Sequence, residues 1–338
     1  METLFITKQD CENFLKGKIK EKKVYAPIEE NQNLFLNLID ENNVENIVYN
    51  KFRTVEPLKI FLLPIVEKIV NEIENFDEII LIGIASCDLK GLEILDNVFA
   101  NGEYKDPNYK RRRENLLIIS TDCYQPSDTC FCEIVGTNPY PEKNFDINFS
   151  MTTDGFIVEI ATEKGNEFIG KDNRFFNATV QQIDNRNVLR EKTVKRIKEI
   201  NEVFNLNNFQ EKIKGVYETE KWEKINDIKN CVSCGSCNFN CPSCVCFFLE
   251  DTSEKENFEK IKFWDSCLFP GYARMASGAT PRPNLHSRYA NRLLCKYDYM
   301  VSNFNILGCT GCGRCISGCI GKIDKRRVIS ELVKEVVK

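Results

Sequence analysis

Two stretches of this chain repeat one cysteine spacing, Cys231-x2-Cys234-x2-Cys237-x3-Cys241-Pro242 and Cys309-x2-Cys312-x2-Cys315-x3-Cys319. The spacing matches the demands of an inorganic cubane. Three thiolates on a tight loop can wrap three corners of a [4Fe–4S] cluster. The fourth, on the helical turn that follows, points away toward a second cluster. The expected ligand sets are therefore Cys231, Cys234, Cys237 and Cys319 for one cluster, and Cys309, Cys312, Cys315 and Cys241 for the other. Gly235, Gly311 and Gly313 suit backbone that must curl closely around sulfide, since glycine tolerates positive φ. Ile320 stands where the two-cluster pattern carries a proline after its last cysteine.

Competing uses of cysteine fit less well. Zinc ribbons place two cysteines per knuckle rather than four in register. Disulfide frameworks belong to exported chains, and no C-x2-C pair here precedes a histidine, as c-type haem attachment requires. The amino terminus has no basic stretch followed by an apolar one, so no export signal is expected. No apolar run approaches the roughly 18 residues a membrane span needs. The 338 residues, 42% hydrophobic and 28% charged, suit about two domains with an ordinary core. A net charge of −4 argues against a nucleic-acid binder, and the single His286, read as structural, leaves little room for histidine metal sites. The expectation is a cytoplasmic redox protein of an anaerobic setting.

Residues 1–170 read as an α/β domain with a mixed, partly parallel sheet, 171–225 as a helical connector, and 226–338 as a ferredoxin-like dicluster domain with an insertion at 242–308; the fold class is α+β. Lys23–Ala26 and Asn46–Tyr49 are strand candidates, and Pro57–Ile73, with its internal Pro64, suggests a broken helix or a loop entering one. The apolar runs Glu78–Ala85 and Leu116–Ser120 have the length of central, two-sided strands. Asp88 stands where a helix N-cap is expected, ahead of Leu89, Leu92, Leu95, Val98 and Phe99 at helical spacing. Phe145–Phe149 and Phe156–Ala161 alternate as a hairpin around Asp154-Gly155. In the connector, Val194, Ile197, Ile200 and Phe204 line one helical face. The tail places Val328, Leu332, Val333, Val336 and Val337 on another, expected to close over the cluster domain, with a partner-docking helix as the alternative.

Nine cysteines lie outside the paired motifs. Cys87 and Cys123 end the two best strands, where ligands of open α/β sheets gather, and Cys130 and Cys132 follow closely. Together they are candidates for a third [4Fe–4S] cluster, against the alternative that free cysteine is a common small buried hydrophobe. In the insertion, Cys244, Cys246 and Cys267 could hold another metal centre completed by Cys295 or an outside ligand, or be buried thiols. Arg274, Arg282, Arg288, Arg292 and Lys296 lie between Ser266 and Tyr297, a stretch with no acidic residue. They could neutralise anionic clusters or present a docking face to an anionic partner. Lys110–Arg113 reads as a solvated loop. No nucleophile–His–Asp set, phosphate loop or dinucleotide fingerprint appears.

Several blocks resemble the family that joins an iron–sulfur subunit of anaerobic sulfite reductase with the sulfhydrogenase beta subunit. They are Cys231 to Phe247 (CVSCGSCNFNCPSCVCF), Trp264-Asp265-Ser266-Cys267, Gly311-Cys312-Gly313-Arg314-Cys315, Ser86-Cys87-Asp88-Leu89-Lys90 and Thr129-Cys130-Phe131-Cys132. Ala85-Ser86 stands where the family usually has Arg-Pro. The resemblance implies a non-catalytic iron–sulfur subunit of a multi-subunit oxidoreductase. One partner would be a flavin-containing NAD(P)H or ferredoxin reductase subunit. The other would be a catalytic sulfite reductase, hydrogenase or heterodisulfide-reductase-like subunit. An iron–sulfur redox sensor or metal-dependent nucleic-acid binder using the basic segment is the alternative, and a self-contained flavoenzyme is a third reading.

Overall fold

The computed structural model describes residues 2–69, 76–204, 206, 208–214, 216, 220–254 and 257–334. Eleven strands are formed among these residues: β1 Glu2–Thr7, β2 Lys23–Glu30, β3 Asn33–Leu38, β4 Val66–Lys68, β5 Ile79–Ala85, β6 Leu116–Thr121, β7 Ile147–Met151, β8 Gly155–Ile160, β9 Phe176–Asn177, β10 Phe247–Glu254 and β11 Asn257–Trp264. Eight make one sheet in the order β3-β2-β5-β6-β7-β8-β1-β9. The centre, β2-β5-β6-β7, is parallel, and the outer pairings are antiparallel. The mixed sheet and α+β class expected from the sequence are present.

Alternation along β5 divides the core. Ile80 and Ile82 face Phe14, Leu15 and Phe149 on one side, while Leu81 and Ile84 face Leu92, Leu95 and Tyr109 on the other. Both faces are covered, which explains why β5 and β6 read as unbroken apolar runs. A separate core surrounds Trp222, Tyr289, Leu293 and Val328, beneath the cysteine loops. The helix Lys325–Lys334 buries Val328, Leu332 and Val333 there. Val336 and Val337 lie outside the described residues.

Some local expectations are corrected. Asn46–Tyr49 is not a strand: a 3-10 turn ends at Asn46, and a single bridge joins Ile47 to Ile28. Pro57–Ile73 forms a short 3-10 turn at Leu58–Phe61 and then β4, with residues 70–73 outside the described residues. The helix Ser86–Phe99 starts directly after β5, so Asp88 sits in its first turn rather than at its cap. Lys110–Arg113 belongs to the helix Pro107–Glu114, where buried Arg112 pairs with Glu67 at 2.6 Å. In the connector, Ile197 is fully buried on the helix Val180–Asn201. Arg190 and Arg186 of that helix pair with Asp122 and Glu159 on the sheet.

The insertion builds a hairpin, β10–β11, and β4 from the amino-terminal half adds to its edge. The two regions interlock elsewhere too: Gly91 lies so close to Pro242 that a Cβ would fall 2.6 Å from the proline ring. Among the described residues no helix is long and apolar enough to cross a membrane.

Candidate metal centres

The repeated spacing is also a repeated structure. Each loop places two residues in the left-handed region, Ser233 (φ 55°) and Gly235 (φ 75°) in the first, Gly311 (φ 64°) and Gly313 (φ 74°) in the second. A four-residue helix follows in each case, Ser236–Phe239 and Arg314–Ser317. The helices face one another, and Ser236 Oγ donates to the Gly318 carbonyl at 3.0 Å. At Gly311 glycine is obligatory for a second reason, since a Cβ would lie 2.4 Å from Cys132 Cα.

This arrangement brings Cys241 across to the second loop. Cys241, Cys309, Cys312 and Cys315 line one pocket, together with Arg292, Lys296 and Lys325. Cys231, Cys237 and Cys319 pack against the same apolar core, and Ile323 N–H points at Cys319 Sγ from 3.4 Å. Cys234 is exposed at the outer edge of its loop.

Cys87, Cys123, Cys130 and Cys132 also meet. They line a pocket at the carboxyl ends of β5 and β6, with Gly311 and Cys312 in its wall. Cys312 thus borders both cavities. The Phe131 N–H donates to the Gly311 carbonyl at 2.8 Å. Only one layer of residues separates the two thiol groups. Burial pushes all four amino-terminal thiols upward. It also raises Cys309 to about 11 and Cys315 to about 12.

The surrounding charge is the most informative feature. Arg53, Lys59, Arg292, Lys296 and Lys325 are all buried, yet none has a carboxylate partner among the described residues. Arg53 donates to the Cys312 carbonyl and Ser317 Oγ, and Arg292 to Asn238 Oδ1 and the Cys237 carbonyl. Lys296 donates to Ser243, and Lys59 to the carbonyls of Asn238 and Cys244. Neutral acceptors alone do not offset the cost of burying a cation. A cubane with four thiolates is anionic in its usual oxidation states, so it fits a shell of this sign. Arg314 Nη1 adds an orphaned donor near Cys87 and Cys312: it is buried with no hydrogen-bond partner among the described residues.

Of the five basic residues of the Ser266–Tyr297 stretch, Arg288, Arg292 and Lys296 are buried, and Arg274 is exposed. Arg288 is taken up by the carbonyls of Leu268 and Pro283. The segment therefore turns most of its charge inward. His286 approaches Glu223 at 3.1 Å on the surface. Sequence reading missed Arg53, Lys59 and Lys325. The only local signal was Lys59 within the apolar run Leu58–Phe61.

The insertion thiols gather on the far side of Cys241. Cys241 Sγ lies 3.3 Å from Ser243 Oγ, and Asn238 Nδ2 donates to Cys267 Sγ at 3.2 Å. The neighbouring Cys267, with help from Tyr272 and Lys296, draws the Cys246 thiol down despite its burial. Among the described residues no three His, Cys, Asp or Glu side chains stand close enough to share one metal ion. The ligands of a cubane are spread over four irons.

The family description "4Fe-4S dicluster domain" matches residues 230–323. Over 320 residues the chain is 30% identical to "Sulfhydrogenase 2 subunit beta" of Pyrococcus furiosus, covering 92% of each chain. The chain belongs to the anaerobic sulfite reductase and sulfhydrogenase beta-subunit family of iron–sulfur proteins.

Proposed function

We propose that this chain is the electron-transfer subunit of a cytoplasmic, multi-subunit oxidoreductase of the hydrogenase type. It would relay electrons between a flavin-containing reductase subunit, served by NAD(P)H or ferredoxin, and a catalytic subunit. The relative's name favours hydrogenase chemistry over sulfite reduction for that catalytic partner.

Cys231, Cys234, Cys237 and Cys319 would hold one [4Fe–4S] cluster, and Cys309, Cys312, Cys315 and Cys241 the second. Cys87, Cys123, Cys130 and Cys132 would hold a third. When bound, each cubane supplies a one-electron redox centre. The chain's residues do the rest. Arg292 and Lys296 bias the potential by placing positive charge beside the thiolates, and the apolar core around Tyr289 and Leu293 limits water at the sulfurs.

The observation that supports this reading best is the set of buried cations with no carboxylate partner among the described residues, converging on two loops of the same conformation. The test is reduction of the anaerobically purified chain. Dithionite should bleach its visible absorbance, while the chain alone should neither oxidise hydrogen with a viologen dye nor reduce sulfite. Steady turnover of either substrate by the pure chain would contradict the role.

A further inference from the structure

Five thiols remain outside the relay assigned above: Cys11 lies in the core of the large sheet, and the other four come from separate segments of the insertion. Cys246 lies directly before β10 and Cys267 three residues after β11. Their hairpin is in register at its open end, where Phe247 faces Trp264. The Asp265 N–H donates to the Cys246 carbonyl at 3.1 Å, which holds the two chain ends side by side. Asn238 Nδ2 lies 3.2 Å from Cys267 Sγ. Cys244 is on the turn after Cys241, its N–H donating to the Cys241 carbonyl at 3.4 Å, and lines one pocket together with Cys246.

The fourth thiol comes from an irregular helix. Residues Cys295–Tyr299 form a π-helical turn directly after the α-helix Leu285–Leu294. Such turns re-aim a side chain at the cost of helix geometry, and they concentrate at functional sites. Cys295 is the first residue of this turn. The next residue, Lys296, reaches over the same group to Ser243. Lys59 approaches from the opposite side, through the Cys244 carbonyl, and lies 4.2 Å from the Trp264 ring centre. Two buried ammonium groups without a carboxylate partner among the described residues mark this as a place for an anion.

We infer that Cys244, Cys246, Cys267 and Cys295 bind a further iron–sulfur cluster, next to the centre that Cys241 serves. The hairpin exists to close this site, which accounts for an insertion far longer than two ferredoxin loops need. The inference rests on the chain being an iron–sulfur protein, but not on the identity of its partner subunits.

The test uses the full chain, purified without oxygen, with iron, zinc and acid-labile sulfide measured per chain. The double variant Cys246→Ser/Cys267→Ser should lose about two to four irons with matching sulfide, while the reduced-state spectrum of the paired ferredoxin-type clusters persists. Cys11→Ala, which alters a buried thiol in the core of the large sheet, should keep the full iron content. If the double variant does not fold, Cys295→Ser gives the same reading from a half-buried position. Unchanged iron in folded Cys246/Cys267 or Cys295 variants overturns the inference and leaves the relay intact. Zinc at this site overturns it likewise. Absence of iron from the unmodified chain overturns both.

Discussion

Arg314 and Asp88 form a buried ion pair, Nη2 to Oδ2 at 2.8 Å, between residues 226 positions apart in the chain. Arg314 lies between Cys312 and Cys315, and Asp88 directly follows Cys87. The pair therefore ties the second cysteine loop to the end of β5, where the amino-terminal thiols gather. Removing one partner leaves a buried charge uncompensated. Asp88→Asn should cost about 3–5 kcal/mol of stability and lower the iron content, read by anaerobic unfolding and iron analysis. A variant with unchanged stability would mean the pair does not hold the two regions together.

Gly311 should tolerate no side chain. Its φ of 64° is costly for an L-residue, and a Cβ would meet the backbone of Cys132 and Phe131. Gly311→Ala should disturb two cysteine sets at once. Gly136 has a similar φ of 71° but open space around it, so Gly136→Ala isolates the conformational strain. Iron per chain should fall clearly in the first variant and hardly at all in the second.

Buried positive charge should hold the cluster potentials up. Reduction adds an electron to an already anionic group, so removing a nearby cation disfavours the reduced form. Lys296→Met should shift a midpoint potential downward by about 40–130 mV, equivalent to roughly 1–3 kcal/mol for one electron. Redox titration followed by the paramagnetic signal measures this. An upward shift would reverse the assigned role of Lys296.

The sheet network makes a separate pH prediction. Burial resists ionisation of Glu159, but Arg190 and Arg186 outweigh it and hold the carboxyl below its ordinary value. A depressed folded-state value contributes stability that is complete above the unfolded carboxylate range and is lost as pH falls through the folded value. Glu159→Gln should therefore destabilise the chain by about 1–3 kcal/mol at neutral pH, discounted for its partial exposure. The difference from the unmodified chain should shrink in acid. Unfolding midpoints at a series of pH values would show whether it does.

Local pattern made parts of this molecule readable and long-range contact hid the rest. Spacing alone announced both cysteine loops, and unbroken apolar runs placed β5 and β6, whose ends carry Cys87 and Cys123. The role of Asp88 was not readable, because a helix-cap signal and a first-turn acid look alike in sequence and only Arg314 distinguishes them. Arg292 and Lys296 looked as much like surface charge as like buried counter-ions, since burial depends on the packing of the helix against the loops. Lys59 donates to carbonyls 179 and 185 positions away, a separation at which no sequence window carries the signal. Asn46–Tyr49 carried strand residues, but the chain turns there after a single bridge to β2.

The most direct test of the central claim is the iron and acid-labile sulfide content of the anaerobically purified chain, with its reduced-state paramagnetic spectrum. The account predicts at least about eight irons with equal sulfide, and a spectrum broadened by magnetic interaction between neighbouring one-electron centres. Stoichiometric zinc in place of iron, or iron centres that show no interaction, would contradict two clusters built from interleaved cysteine loops.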